Sequence, residues 1–369
     1  MYQQTIALPG SKQHFEVLDG LRGIAAITIL VFHFMEMIYA DYAINPLGHG
    51  FLAVDFFYCL SGFVIGYAYD DRIGQIGLVA FLRNRLIRLH PLVLMGSVLG
   101  LVGYVCNPFV NGWTLAGGAK VITAFISSIF LVPYPVLPHR AGALFPFNSP
   151  AWSLLMEYLA NIVYALLLFR MKRLWLVPVA VAAAVWLCVV GHQQGWLIGG
   201  WDAPTWVDGV ARISYSFLAG LLVFRFGLRI KNRLNFAWLG LLLLGAFFFP
   251  HIKQDGLTEA AIVLFYFPLL LAVGAGASVS GWMKQLCVFI GRLSYPLYMT
   301  HIFVVWNFGD YYAKYKPSGL RLYVVVSVLI VALLVLAYLV MRFYDEPVRR
   351  FLIKKWLVKK PVKKEVPVA

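Results

Sequence analysis

Long apolar runs that recur along the whole chain constrain this sequence more than any other feature. Eleven of them, between residues 22 and 342, approach the roughly 20 apolar residues that a membrane-spanning helix requires. Of the 369 residues, 61% are hydrophobic and only 13% are charged. A water-soluble fold of this length could not cover its surface with so few polar groups, because about a quarter of the residues in soluble domains are charged. The sequence therefore predicts an all-α polytopic membrane protein.

The positive charges indicate which side of the membrane holds the two ends of the chain. Lys12 and Arg22 precede or open the first run, and nine Lys or Arg lie in 342–364. The positive-inside rule therefore places both termini in the cytoplasm and requires an even number of crossings. The net charge of +15 is divided among short clusters between apolar runs. We therefore expect it to contact an anionic bilayer surface and not a nucleic acid.

One of the eleven runs is not expected to cross the membrane. The run at 121–137 is interrupted by prolines near its end, which leaves about a dozen uninterrupted residues, a length typical of a re-entrant or interfacial segment. The prediction is thus a bundle of about ten transmembrane helices in residues 1–350, followed by a basic cytoplasmic tail at 351–369. The expected location is the inner (plasma) membrane. Four cysteines occur singly, so no disulfide framework and no metal site is predicted.

Three ionisable residues share one face of the first predicted helix. Arg22 and His33 are eleven residues apart, which is three helical turns plus roughly 20°. Glu36 lies within i,i+3 reach of His33. A charged group at mid-bilayer costs at least about 2.5–3.5 kcal/mol, so each of these residues needs an explanation. His33 is either a core histidine that is hydrogen-bonded to a neighbouring helix or a general base, since imidazole titrates near neutral pH.

The segment RNRLIRLHP at 83–91 leads into the third span and carries two further basic residues of interest. Arg85 and Arg88 are i,i+3 neighbours on the predicted helix. The cluster is either a simple positive-inside signal or a phosphate-binding site, because a planar guanidinium group matches phosphate in a bidentate manner.

Three more ionisable side chains lie inside predicted spans. Asp55 lies within an apolar run and requires a partner, and Glu157 belongs either to a buried ion pair or to a catalytic site. His301 lies several residues inside the run at 286–307, where spacing alone favours a core histidine. The local sequence does not decide between these alternatives.

Six sequence segments, taken together, resemble the acyltransferase-3 family of integral membrane acyltransferases. They occur in the family's order between about residue 15 and residue 350, and they are FEVLDGLRGIAAITILVFHF, GFLAVDFFYCLSGFVI, RLIRLHP, WSLLMEY, LSYPLYMTH and DEP. The resemblance implies a ten-helix bundle that takes an acyl group, commonly acetyl, from cytoplasmic acyl-CoA. It implies as acceptor a hydroxyl group of a cell-surface or exported glycan. Since only the basic tail follows the last motif, a stand-alone member without a fused hydrolase-like domain is expected.

The resemblance also assigns roles to individual residues. It implies that His33 is catalytic and that acyl-CoA is bound by three arginines, Arg22, Arg85 and Arg88. Trp152, Ser153 and Glu157 match a further functional motif of the family.

We predict that His33 removes the acceptor proton and that Glu157 or Asp55 orients either the imidazole or the sugar. Trp152, Ser153 and His301 are assigned to the substrate site. Direct transfer and a covalent acyl-histidine intermediate both remain open.

Two other classes of function use similar residues. A transporter or flippase for an envelope precursor would also place His, Glu and Arg inside the membrane, although such proteins often contain internal repeats and none is detected. A non-catalytic scaffold would tolerate substitution of the buried charges. The expected partners of the enzyme are the acyl-CoA donor, a glycan or glycolipid acceptor and the lipid bilayer. The sequence identifies neither the acceptor nor the oligomeric state.

Overall fold

The computed structural model describes residues 13–39, 41–251 and 255–357, and the regular elements within these ranges are helices. The fifteen α-helices are α1 Glu16–Ile38, α2 Ala53–Tyr69, α3 Ile73–Val105, α4 Gly112–Ala116, α5 Gly118–Ile129, α6 Ala151–Leu166, α7 Arg173–Gln194, α8 Trp206–Arg225, α9 Phe236–Gly245, α10 Asp255–Ala261, α11 Phe267–Gly276, α12 Gly281–Thr300, α13 Ile302–Tyr315, α14 Gly319–Val340 and α15 Glu346–Trp356. Short π-helical segments join α10 to α11 and α14 to α15. The all-α prediction is confirmed.

Seven helical segments in the described chain are long and apolar enough to cross a membrane, which confirms a polytopic membrane protein. They are Glu16–Ile38, Gly50–Tyr69, Ile73–Val105, Arg173–Gln194, Trp206–Arg225, Asp255–Gly276 and Gly319–Trp356. The pair α12 and α13, bent by 55° at its junction, makes an eighth candidate. The predicted total of ten would also need α6 and α9 to cross, and these helices have 16 and 10 residues.

The weak run at 121–137 contains a helix that is too short to span a bilayer. Helix α5 has 12 residues and ends at Ile129. At 1.5 Å per residue it is about 18 Å long, against a hydrocarbon core of about 30 Å. This length agrees with the predicted re-entrant or interfacial segment.

Helices α2 and α8 are in direct backbone contact. A Cβ atom at Gly62 would lie 2.0 Å from the carbonyl oxygen of Phe217, and one at Gly220 would lie 1.8 Å from the carbonyl oxygen of Cys59. Small residues allow such close approach between membrane helices. The seam fixes the axial register of the two helices and places Asp55 of α2 beside Arg212 of α8.

Helix α1 packs along α12 in a similar way. A Cβ atom at Gly23 would lie 2.6 Å from a side-chain atom of Ile290, and one at Gly291 would lie 2.6 Å from the Cβ of Asp19. Because both helices continue beyond this contact, the far end of α1 reaches the end of α12. The packing therefore brings His33 next to His301.

The C-terminal end of the described chain is helical. The predicted domain boundary between residues 350 and 351 falls within α15. Residues 358–369, which form most of the predicted basic tail, lie outside the described residues, and so does Lys12.

Candidate active site

His33 is held by a carboxylate from its own helix. Its Nδ1 atom lies 2.5 Å from Oε2 of Glu36, one turn further along α1. This contact fits the i,i+3 spacing in the sequence. With the Nδ1 proton donated to the carboxylate, the lone pair of the neutral ring lies on Nε2, where it can accept a proton. The side chain is 22% exposed, so the imidazole is not sealed within the core.

Tyr42 completes a hydrogen-bonded chain that ends at His33. Its hydroxyl donates to Oε1 of Glu36, the carboxylate oxygen that His33 does not use. Its ring packs edge-on against Trp196, with a centroid distance of 5.2 Å. Burial, reinforced by the charge of Glu36, raises the pKa of the Tyr42 phenol above its ordinary value. The phenol is therefore protonated and remains a donor that fixes the orientation of the carboxylate.

His301 lies against His33. The two rings stack with a centroid distance of 5.3 Å and an interplanar angle of 21°. His301 is 0% exposed, and its Nδ1 lies 3.0 Å from the carbonyl oxygen of Leu297. Its Nε2 is buried and has no hydrogen-bond partner within the described ranges. The structure thus brings two of the predicted site residues together at the junction between α12 and α13.

Asp55 forms an ion pair away from His33. Its Oδ2 atom lies 2.6 Å from Arg212 Nη2, and both side chains are almost fully buried. Arg212 also donates to the carbonyl oxygens of Gly199 and Phe51, at 2.8 and 3.1 Å. No hydrogen bond in the described part of the chain joins Asp55 to His33. The carboxylate that contacts the imidazole is Glu36, which the sequence placed within reach but to which it assigned no role.

Glu157 and Arg85, two residues with separate predicted roles, are partners. Oε1 of Glu157 lies 2.6 Å from Arg85 Nη2 and 2.8 Å from the hydroxyl oxygen of Ser61. Nε of Arg85 is buried with no partner among the described residues. Glu157 therefore neutralises one cation of the predicted donor site, and it does not contact His33.

Arg22 is fixed at the start of α1. It donates to the carbonyl oxygen of Gly291 at 2.7 Å and to the hydroxyl of Ser294 at 3.0 Å, and it forms an ion pair with Asp19 at 2.9 Å. Eleven residues of α1 separate it from His33, which corresponds to about 16 Å along the helix axis. The two residues thus mark opposite ends of one helix face.

Arg88 is exposed and makes no hydrogen bond or ion pair with any described residue. Its charge interacts with the guanidinium groups of Arg22, Arg85 and Arg349 and with the carboxylates of Asp19 and Asp345. Arg349 belongs to α15 and forms an ion pair with Asp345 at 2.5 Å. The sequence YDEPVRRF at 344–351 is typical of a helix end with basic anchors, and Arg349 is not among the predicted site residues. We refer to Arg22, Arg85, Arg88 and Arg349 as the arginine cluster.

Trp152 and Ser153 are buried at the start of α6. Ser153 Oγ lies 2.8 Å from the hydroxyl oxygen of Tyr298, whose ring is 6.1 Å from that of His301. The Cζ atom of the Arg212 guanidinium lies over the Trp152 ring, 5.3 Å from the ring centroid. Ser153 is thus connected to the histidine pair through Tyr298, and Trp152 supports the buried ion pair.

Comparison with known proteins gives one family. The profile of Acyl_transf_3, described as an acyltransferase domain, matches residues 15–341. Acyltransferase MdmB of Streptomyces mycarofaciens is 27% identical over 78% of this chain and 78% of its own length. Exopolysaccharide production protein ExoZ of Rhizobium meliloti (strain 1021) is 24% identical over 75% of this chain and 81% of its own length.

A third relative is longer than this chain. It is a protein of Staphylococcus aureus (strain COL), provisionally named O-acetyltransferase SACOL0978, and it is 24% identical over 91% of this chain but only 58% of its own length. No solved structure matches the chain significantly. The matched residues include both the His33 region and the arginine cluster except Arg349.

Proposed function

Since the chain belongs to the Acyl_transf_3 family of acyltransferases, we propose that it transfers an acyl group, in the first instance acetyl, from acyl-CoA to a hydroxyl group of a cell-surface or exported glycan. The name of the exopolysaccharide production protein supports a glycan acceptor, and the name of the Staphylococcus aureus relative supports acetyl transfer to oxygen. We further propose that the protein resides in the plasma membrane with both termini and the arginine cluster on the cytoplasmic side.

One observation carries the proposal. His33 has its Nδ1 atom held by Glu36, and Arg22, a member of the arginine cluster, lies near the other end of the same helix. Acyl-CoA has anionic phosphates at one end and a thioester at the other, joined by an extended pantetheine arm. Guanidinium groups are suited to hold the phosphates. The extended pantetheine arm would then span the roughly 16 Å between Arg22 and His33 along the axis of α1 and bring the thioester to the imidazole.

In the proposed reaction, His33 acts as the general base. Nε2 removes the proton from the acceptor hydroxyl while the hydroxyl oxygen attacks the thioester carbonyl carbon. A C–O bond forms and the C–S bond breaks, and the leaving thiolate takes the proton back from the imidazolium. The Glu36 carboxylate stabilises that imidazolium and keeps the Nδ1–H tautomer, as the carboxylate does in a Ser-His-Asp triad.

Replacing Glu36 by glutamine tests this role of the carboxylate. We expect kcat to fall between about 10²- and 10⁴-fold, because the amide no longer stabilises the imidazolium and can reverse the tautomer of His33. The measurement is thiol release from acetyl-CoA by the purified protein in liposomes that contain envelope glycans. Glu16→Gln, in the first turn of the same helix, where the carboxylate pairs with Lys284 at 2.7 Å, is the matched control and should retain activity. A Glu36→Gln protein with unchanged kcat would remove Glu36 from the mechanism.

Arg88 provides the cleanest test of donor binding. Arg85→Ala would leave Glu157 without its cation, whereas Arg88 makes no hydrogen bond or close ion pair within the described structure, and the carboxylates nearest to it, Asp19 and Asp345, keep Arg22 and Arg349 as partners. We expect Arg88→Ala to raise the KM for acetyl-CoA by about tenfold, which corresponds to one charge-assisted hydrogen bond. Arg83→Ala, five positions earlier on α3, is the control. If the wild type and Arg88→Ala bind acetyl-CoA with equal affinity, Arg88 does not bind the donor, and the basic residues at 83–88 serve only to orient the chain in the membrane.

A further inference from the structure

A second histidine cluster lies at the end of the bundle where His33 is found, outside the site described above. His49 precedes α2, and His251 follows α9. The Nδ1 atom of His49 lies 3.0 Å from Oε1 of Glu259, and Nδ1 of His251 is hydrogen-bonded to Oδ2 of Asp255. The two rings stack with a centroid distance of 4.1 Å. Each imidazole is therefore held by a carboxylate on the same ring atom.

The other ring nitrogen of each histidine has no partner. Nε2 of His49 and Nε2 of His251 are both buried and make no hydrogen bond to any described residue. His49 is 0% exposed. Burying a polar atom without a hydrogen-bond partner is costly, so two such atoms in one cluster indicate that something binds there.

The donor set is that of a metal site. Histidines that bind metal commonly direct one ring nitrogen at a carboxylate and the other at the ion. One ligand atom each from His49, His251 and Asp255 lies within 4.8 Å of the others. Gly48 packs closely against the ring of His251: a Cβ atom at Gly48 would lie 2.1 Å from Nε2, so no larger residue fits beside this nitrogen.

The charges around the cluster favour a cation. Glu259 is fully buried, and the side chain of Asp255 is 9% exposed. Arg212 interacts with Glu259, but it already forms the ion pair with Asp55. A divalent ion would offset the negative charge of Glu259, which burial makes costly.

We propose that His49 and His251 bind, through their Nε2 atoms, a divalent transition-metal ion of the Zn²⁺ class, and that Glu259 and Asp255 orient the two imidazoles. Imidazole nitrogen suits Zn²⁺, whose tetrahedral ligands are roughly 3.3 Å apart, so binding draws the two rings closer together and water fills the remaining positions. The ion ties the connection between α1 and α2 to the segment that leads into α10. This connection carries Tyr42, whose carbonyl oxygen lies against Gly48. The bound ion would therefore help to hold Tyr42 in the position from which its hydroxyl donates a hydrogen bond to Glu36.

The test is the metal content of the full-length protein, purified without a polyhistidine tag, stripped with a chelator and reloaded with Zn²⁺. We expect about one ion per chain in the wild type, and less than about a tenth of that in His49→Ala and His251→Ala. The control is His192→Ala, which alters an exposed histidine on α7 and should load like the wild type.

A second measurement does not depend on how well the alanine variants fold. Co²⁺ loaded into the wild type should give visible absorption bands typical of nitrogen and oxygen ligands, and Glu259→Gln should weaken Zn²⁺ binding about 10- to 100-fold. The proposal is overturned if the wild type retains no more Zn²⁺ than the His49→Ala/His251→Ala double variant. It is equally overturned if His192→Ala loses as much metal as His49→Ala.

Discussion

Replacing His33 by alanine should abolish acyl transfer while the protein continues to accumulate in the membrane. The imidazole is the proposed general base, and loss of such a group lowers kcat by about 10²- to 10⁴-fold. Its side chain is 22% exposed and its one hydrogen bond is to Glu36, which keeps Tyr42 as a partner. We therefore expect little loss of stability. Transfer of radiolabelled acetyl groups to membrane glycans is the measurement, normalised to the amount of protein.

His301→Ala is the comparison that separates the two stacked rings. His301 is fully buried and its Nδ1 is held by a backbone carbonyl group, so it is expected to support His33 and not to replace it. Its variant should keep measurable activity where His33→Ala has none. The assignment is wrong if His33→Ala transfers acetyl groups at the wild-type rate, or if only His301→Ala is inactive.

The second large effect is expected on stability. Asp55→Ala leaves the Arg212 guanidinium buried without its carboxylate, and breaking a buried pair in this way costs about 3–5 kcal/mol. We expect a strong fall in the amount of folded protein and in its unfolding temperature in detergent. The side chains are 0% and 1% exposed, so neither solvent nor lipid headgroups are available to compensate.

A double variant distinguishes this structural role from the catalytic role predicted for Asp55. Asp55→Leu/Arg212→Met removes both charges and should recover much of the lost stability, because apolar residues of similar volume replace buried pairs well. If Asp55 acts in catalysis alone, Asp55→Ala would instead be as stable as the wild type and inactive. Unfolding temperature and activity, measured on the same samples, decide between the two.

The composition and the apolar runs were sufficient to predict the membrane fold, but they did not predict where helices bend. Most predicted runs coincide with helices because a span is limited by the thickness of the bilayer. The run at 286–307 is divided by the 55° junction next to His301. Pro296 lies five residues before this junction, and α12 and α13 both pack against α1 and α3, whereas the hydropathy of the run contains no record of the bend.

The candidate site was predictable only where its contacts are local. Helical spacing placed Glu36 near His33, and the structure confirms that contact. Asp55 and Arg212 are 157 residues apart, and Arg85 and Glu157 are 72 residues apart. Periodicity shows which face of a helix carries a charge, but not which other helix faces it. The stacking of His301 on His33 was missed for the same reason.

The histidine cluster at His49 illustrates the limit most clearly. The sequence predicted no metal site, because its cysteines are isolated and no short ligand motif is present. Glu259 lies 210 residues from His49 and reaches it only through the fold. A site assembled from three separate segments leaves no spacing signature in the chain.

The ion pair between α2 and α8 has a consequence for biosynthesis. Because the chain is made from its N-terminus, α2 reaches the membrane before α8, with five helices between them. Asp55 lies within the first turns of this span, and a lone carboxylate inside an apolar span is costly to insert. A nascent chain that stops before Arg212 therefore contains the Asp55 carboxylate without its guanidinium partner. It also leaves Gly62 of α2 without the backbone of α8 packed against it. Ribosome-stalled or nonsense-truncated products of this length should be the ones that membrane proteases remove fastest.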